Sequence, residues 1–140
     1  MNKVNYAIEW ADRAEADARK AVGPNAAITD GDYREAIYRV YPGFLLFCFC
    51  EKYRDEFATY WQKMEGITPA RLHLIEKHHW LPEQALALKE EQILLLLHQE
   101  LRELHLPAQV QERLLKDFAY LKIQDLPLNQ YEKPAKEHAL

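Results

Sequence analysis

Glycine is scarce: the 140-residue sequence holds only 4. That argues against a glycine-rich phosphate cradle and excludes a collagen-like repeat. The sequence also lacks a Cys-x-x-Cys pair and the residue order of a Ser-His-Asp hydrolase. Cysteine is limited to Cys48 and Cys50, too few for a disulfide framework. With one residue between them a mutual bond is strained, so they read as two buried, reduced thiols in a reducing compartment. Long hydrophobic runs are missing as well. The longest, 44–50 and 93–97, fall far short of the ~18–20 residues of a membrane span. The N-terminal stretch has no apolar run behind its early lysine, so it does not read as a secretory signal. A strong excess of one charge is absent too: 18 basic against 22 acidic residues leave a net charge of −4. A general nucleic-acid binder is more basic than this. The expectation is a cytoplasmic protein with no membrane partner, and the charge balance argues against a nucleic-acid partner.

What is present is a large apolar fraction, 49% of residues, enough for one compact domain and too much for a disordered chain. No internal repeat is visible. Spacings of three and four dominate, so the fold class expected is all-α: a compact bundle of about six helices with an irregular C-terminal arm. The first helix spans 3–22, with Val4, Ile8, Ala11, Ala18 and Val22 on one apolar stripe and Tyr6, Trp10, Ala14, Ala18 and Ala21 on an adjoining one, and Gly23-Pro24 ends it. A second covers 31–41, capped by Thr29 or Asp30 and broken by Pro42-Gly43. A third covers 44–65. Its opening FLLFCFC would suit a strand if read alone, but Leu46, Cys50, Tyr53, Phe57, Tyr60 or Trp61, and Met64 continue a helical stripe. Thr68-Pro69 opens a fourth helix, ending near Trp80. Leu81-Pro82 opens a fifth that reaches Leu104, with a break near Leu88 as an option. Its Leu94, Leu97, Leu101 and Leu104 form one seam and Ile93 and Leu96 a second face, available to a second copy of the chain through 91–104. Leu106-Pro107 starts the sixth, to about Leu121. The expected division is a single helical domain over 1–122 and an extended or disordered tail over 123–140. The expected core is Leu46, Phe47, Cys50, Tyr53, Phe57, Trp61, Leu72, Ile75, Ile93, Leu94, Leu97, Leu101, Leu114 and Phe118.

Several groupings carry chemical potential. His73, Glu76, His78 and His79 crowd the fourth helix, and Glu76 and His79 have the Glu-x-x-His spacing of di-iron bundles. Such sites need a second motif and facing glutamates, which the sequence does not offer. Histidines near a helix C-terminus also simply complement its dipole. Cys48 and Cys50 lie in the first turns of a helix, where the dipole lowers a thiol pKa, yet their phenylalanine and leucine neighbours argue for burial. Glu51, Asp55 and Glu56, then Glu90 and Glu91, then Glu100 and Glu103 are carboxylate groupings; Glu100 and Glu103 imitate half of a magnesium site in all-α pyrophosphatases. The stretch 68–88 reads helix, turn, helix, with Gln84, Lys89 and Gln92 as base-reading candidates and Glu83, Glu90 and Glu91 opposing them. A basic face around Arg71, Lys77, His78 and Lys89 would support that use. Surplus Tyr and Trp suit a protein interface.

His79-Trp80-Leu81-Pro82, followed by a Leu-rich helix with Glu and Gln, resembles short helical proteins of phage tail-assembly operons. The resemblance covers that stretch alone and carries no chemical motif; it implies a small accessory protein from a mobile element. The leading expectation is therefore a non-enzymatic protein–protein interaction protein: an adaptor, inhibitor, immunity-type or assembly accessory. A helix-turn-helix regulator and a metal-dependent bundle enzyme on Glu76 and His79 are the alternatives. No catalytic residue, metal ligand or cofactor is assigned.

Overall fold

The computed structural model describes residues 4–126. Among them the fold is all-α, with seven helices: α1 (Tyr6–Val22), α2 (Asp30–Phe57), α3 (Thr68–His78), α4 (Pro82–Leu86), α5 (Glu90–Leu96), α6 (His98–Arg102) and α7 (Ala108–Leu121). Among the described residues no helix is long and apolar enough to cross a membrane. The chain divides into two compact units, Met1–Phe44 with Glu103–Leu140, and Leu45–Arg102.

In the first unit, α1 packs against α7. Asn5 starts α1 by accepting a hydrogen bond on its side chain from Ile8 N at 3.1 Å, and Gly23 ends it at φ 90, a conformation glycine adopts without cost. Trp10, Ala14 and Ala18 are buried along one stripe of α1, and Val110, Leu114 and Phe118 along one stripe of α7. The alanines let the neighbouring backbone approach; Trp10 fills the space between. Its ring contacts those of Tyr41, Phe44 and Phe118, with centroids 5.0–6.5 Å apart. Its indole N–H donates to Asp117 at 2.7 Å, so the polar end of the buried ring is satisfied. Ile123, within the segment expected to be a tail, is buried; its N–H donates to Phe118 O at 2.8 Å. The rest of that tail from residue 127 onward lies outside the described residues.

The second unit contains residues 45–57 of α2 together with α3, α4, α5 and α6. Its buried side chains are small or aliphatic: Leu45, Leu46, Cys48, Cys50, Ala70, Leu74, Ala85, Ile93, Leu97 and Leu101. Here α3 packs on α4 and α5 on α6. Arg71 ties α3 to α4, its guanidinium donating to Ala85 O at 2.6 Å.

Three expectations need correction. Pro42-Gly43 does not break the chain: α2 runs through it, with Pro42 exposed. A helix-internal proline costs about 3 kcal/mol, and the burial of Tyr41, Phe44, Leu45 and Leu46 around it offsets that cost. Next, the helix expected over 44–65 ends at Phe57. Tyr60 and Trp61, read as part of its stripe, are 87% and 77% exposed, and Phe57 is 50% exposed. Finally, the segment expected as one helix over 82–104, with a break near Leu88 as an option, holds three short helices: the break near Leu88 is present and a second falls at Leu97. Local capping accounts for the first break: Gln92 Oε1 accepts from Lys89 N at 2.8 Å and starts α5, as Gln84 Oε1 accepts from Leu81 N at 2.9 Å at the start of α4. Both expected faces are largely covered: Leu97, Leu101 and Leu104 of the seam and Ile93 of the second face are buried, Leu94 and Leu96 are half-buried, and Leu95, which belongs to neither, is 77% exposed. Of the remaining expected core, Phe47, Tyr53, Leu72, Ile75 and Leu94 are only half-buried.

Candidate functional site

The histidine-rich end of α3 does not gather as its spacing suggests. Glu76 accepts a hydrogen bond from the Tyr53 hydroxyl at 3.2 Å. His79 has left the helix: it is the C-cap residue at φ 55, so the i, i+3 relation to Glu76 is broken. His78 stacks on Trp80, with centroids 4.7 Å apart. Among the described residues, no group of three or more His, Cys, Asp or Glu side chains is placed to hold a metal ion. Cys48 and Cys50 are buried and form no disulfide. Burial pushes the Cys50 thiol up to about 11, which keeps it neutral and unreactive at physiological pH.

His73 instead meets a residue from far along the chain. Its Nε2 lies 2.9 Å from Glu100 Oε2, and Lys77 Nζ donates to the same oxygen at 3.0 Å. One helical turn separates His73 from Lys77, so both reach from one face of α3 to α6. Phe49 stands edge-on to the imidazole, with centroids 5.3 Å apart. Burial raises the Glu100 carboxyl pKa, but the hydrogen bonds from Lys77 and His73 outweigh it and hold the group below its ordinary value. Its Oε1 is buried without a hydrogen-bond partner. This cluster joins two helices electrostatically; Glu103, the other half of the supposed carboxylate pair, is exposed after α6. Glu51 is taken by Arg54 at 2.5 Å.

Two of the base-reading candidates, Gln84 and Gln92, are engaged as well. Gln84 and Gln92 cap helices through their side-chain oxygens. Arg71 donates to the α4 backbone and Lys77 to Glu100. The second helix of the supposed pair, α4, is only five residues long.

The feature that stands out lies in the turn after α2. Arg54, in the last turn of α2, donates to the carbonyls of Met64 and Gly66 and pairs with Glu51. Thr59 and Gln62 exchange backbone hydrogen bonds at 3.0 and 3.2 Å, and Thr59 Oγ1 also accepts from Gln62 N. Met64 at φ 59 and Gly66 at φ 61 turn the chain back, and for methionine that conformation is strained. The result is a defined turn that displays Tyr60 and Trp61, their rings perpendicular at 88° and 5.7 Å apart. Tyr60, Trp61, Gln62, Lys63, Met64, Glu65 and Thr68 line an open pocket of about 370 Å³. Sequence reasoning placed Trp61 in the core because its spacing continued the stripe of α2, on which Tyr60 was the alternative. The available counter-signal was β-branched Thr59 beside clustered aromatics, poor helix formers, just before Gly66.

Neither a protein-family model, nor a curated protein, nor a solved structure matches the chain. The resemblance of His79-Trp80-Leu81-Pro82 and the Leu-rich stretch after it to phage tail-assembly proteins rests on that stretch alone.

Proposed function

We propose that this chain is a non-enzymatic interaction protein that engages another protein through the turn carrying Tyr60 and Trp61. The observation that supports this is the pair's exposure, 87% and 77%, on a backbone held by Arg54. Tyr and Trp are enriched at protein interfaces and among their hot spots, because a rigid ring buries much area for little entropy. Preorganising the turn removes part of the ordering cost of association. An adaptor, inhibitor, immunity-type or assembly accessory would use such a surface, and the reduced thiols suit a cytoplasmic setting. A second copy of the chain is one form of partner, through the exposed Leu95 of the 91–104 segment.

The test compares the wild type with a Tyr60→Ala/Trp61→Ala variant by affinity capture from the native host, followed by binding of the purified pair. The reading requires a protein that binds the wild type as a purified pair and loses affinity at least tenfold with the variant. A captured partner whose affinity is unchanged by the double substitution would falsify it. Native mass spectrometry of both forms reports subunit count and any bound metal in the same experiment.

A further inference from the structure

We propose that residues 58–64 form a two-state element: a turn latched by Arg54 that displays Trp61, and a one-turn extension of α2 that stows Trp61 against Phe57. The use of this switch, though not its existence, rests on the interaction reading above. The apolar stripe Cys50, Tyr53, Phe57, Trp61 and Met64 keeps spacings of three and four beyond the end of α2. Residues 58–64 therefore carry a helical pattern that the turn does not use. Ala58 N still donates to Arg54 O at 2.9 Å, the bond of an unbroken helix. The chain leaves the helix after it, where the Arg54 side chain draws in the carbonyls of Met64 and Gly66. Met64 takes φ 59 there. The other two described non-glycine residues at positive φ, His79 and Lys122, are helix C-caps. Met64 caps no helix, and opening the latch relieves its strain. The ring of Phe57 lies 4.6 Å from that of Tyr53 between centroids, yet Phe57 is 50% exposed. In a continued helix Trp61, four residues on, covers it and itself leaves water. The connection permits both states. Arg54 to Trp61 is about 10.5 Å of helical rise, and residues 62–66 span about 16–18 Å when extended. That is enough to bring Gly66 back beside Arg54 and leave α3 in place. Only the latched state displays Trp61, so the fraction stowed lowers the apparent affinity for a partner that binds it.

The experiment is NMR on the full chain, reading the ¹³Cα shifts of residues 58–61 and the side-chain contact between Phe57 and Trp61. Arg54→Ala removes two hydrogen bonds from a charged donor, which moves the balance about tenfold or more. The helical population over 58–61 is expected to rise from at most about a tenth in wild type to about half or more. A nuclear Overhauser contact between Phe57 and Trp61 appears with it. Thr59→Ala leaves Arg54 in place, removes the hydroxyl that accepts from Gln62 N and puts a better helix former there. It moves the same signals in the same direction by a smaller amount, which keeps the test decisive if Arg54→Ala does not fold. Shifts at 58–61 that stay at wild-type values in the folded variants, or fall to those of an unstructured chain, overturn the proposal. Its failure is distinct from failure of the interaction reading. No helix alongside partner loss in the Tyr60→Ala/Trp61→Ala variant removes only the switch; a helix that forms while that variant keeps its partner removes only the interaction reading.

Discussion

The two units of the chain use aromatic residues in opposite ways. In the first, Trp10, Tyr41, Phe44 and Phe118 touch one another and are almost wholly buried. In the second, the buried side chains are aliphatic or small. Phe47, Phe49 and Tyr53 are half-covered, and Phe57, Tyr60 and Trp61 face solvent. Aromatic pairing contributes about 0.5–1.5 kcal/mol beyond area burial for each pair; the first unit makes such pairs in its buried core, whereas those of the second, Phe49–Tyr53 and Tyr53–Phe57 among them, lie at half-covered or exposed positions. Exposed rings in the second unit contribute little to folding and retain most of their surface for binding. Trp10 and Trp61 show the contrast within one residue type: 1% against 77% exposed.

The largest expected effect breaks the first side of this contrast. Trp10→Ala removes the ring at the centre of the α1–α7 packing and leaves Asp117 without its indole donor, though Arg113 remains beside it at 3.2 Å. A loss of about 3–5 kcal/mol is expected, read by chemical denaturation. Trp10→Phe, which keeps a ring but not the N–H, falls between the variant and wild type. A loss below about 1 kcal/mol for Trp10→Ala would mean the aromatic cluster does not hold the unit together.

Next comes the device that keeps the second unit's rings outward. Arg54→Ala leaves the carbonyls of Met64 and Gly66 without that donor and Glu51 without its cation. The expected cost is about 1–3 kcal/mol. A more specific reading is trypsin cleavage after Lys63, which should accelerate in the variant relative to other sites if Arg54 fixes the turn. Unchanged cleavage there would show that the turn holds its shape without the clamp.

How far the sequence discloses this contrast depends on the kind of signal. The all-α class, the opening of helices at Pro69 and Pro82, and the buried stripes of α1 and α7 are local patterns and can be read directly. The continuity of α2 across Pro42 is not, because the burial that offsets the missing hydrogen bond comes from residues distant in sequence. Nor does periodicity reveal that Trp61 lies outside: the stripe from Leu46 to Phe57 extends to it by spacing alone, and the carbonyls drawn to Arg54 decide otherwise. In the candidate cluster, His73 was visible and its partner was not. Glu100 lies 27 positions away, and its glutamate spacing suggested a different pair, Glu100 with Glu103.

A smaller effect concerns the polar tie in the second unit. The Glu100 carboxyl has a folded pKa below its ordinary value, set by burial in one direction and by Lys77 and His73 in the other. The unfolded chain therefore binds its proton at higher pH. Its contribution to stability is present above the ordinary carboxylate range and is lost as pH falls through the folded value. Because Lys77 is 44% exposed, that contribution is below about 1 kcal/mol. Wild type should exceed Glu100→Gln at neutral pH, and the gap should close in acid; a gap that stays constant from pH 7 to pH 3 would show that no folding-linked protonation occurs at Glu100.

Trp61→Ala should change least, and that is its value. The ring's one aromatic contact among the described residues is Tyr60, itself 87% exposed, so little apolar area returns to water when the side chain is removed. Stability should stay within about 0.5 kcal/mol of wild type, against the several kcal/mol expected for Trp10→Ala. The two substitutions remove the same side chain, so the difference isolates environment from residue type. A variant that folds normally but no longer binds its partner separates the cost of displaying a tryptophan from its use. If Trp61→Ala instead destabilised the chain as Trp10→Ala does, the ring would be supporting the turn in solution, and its exposure would no longer argue for a partner.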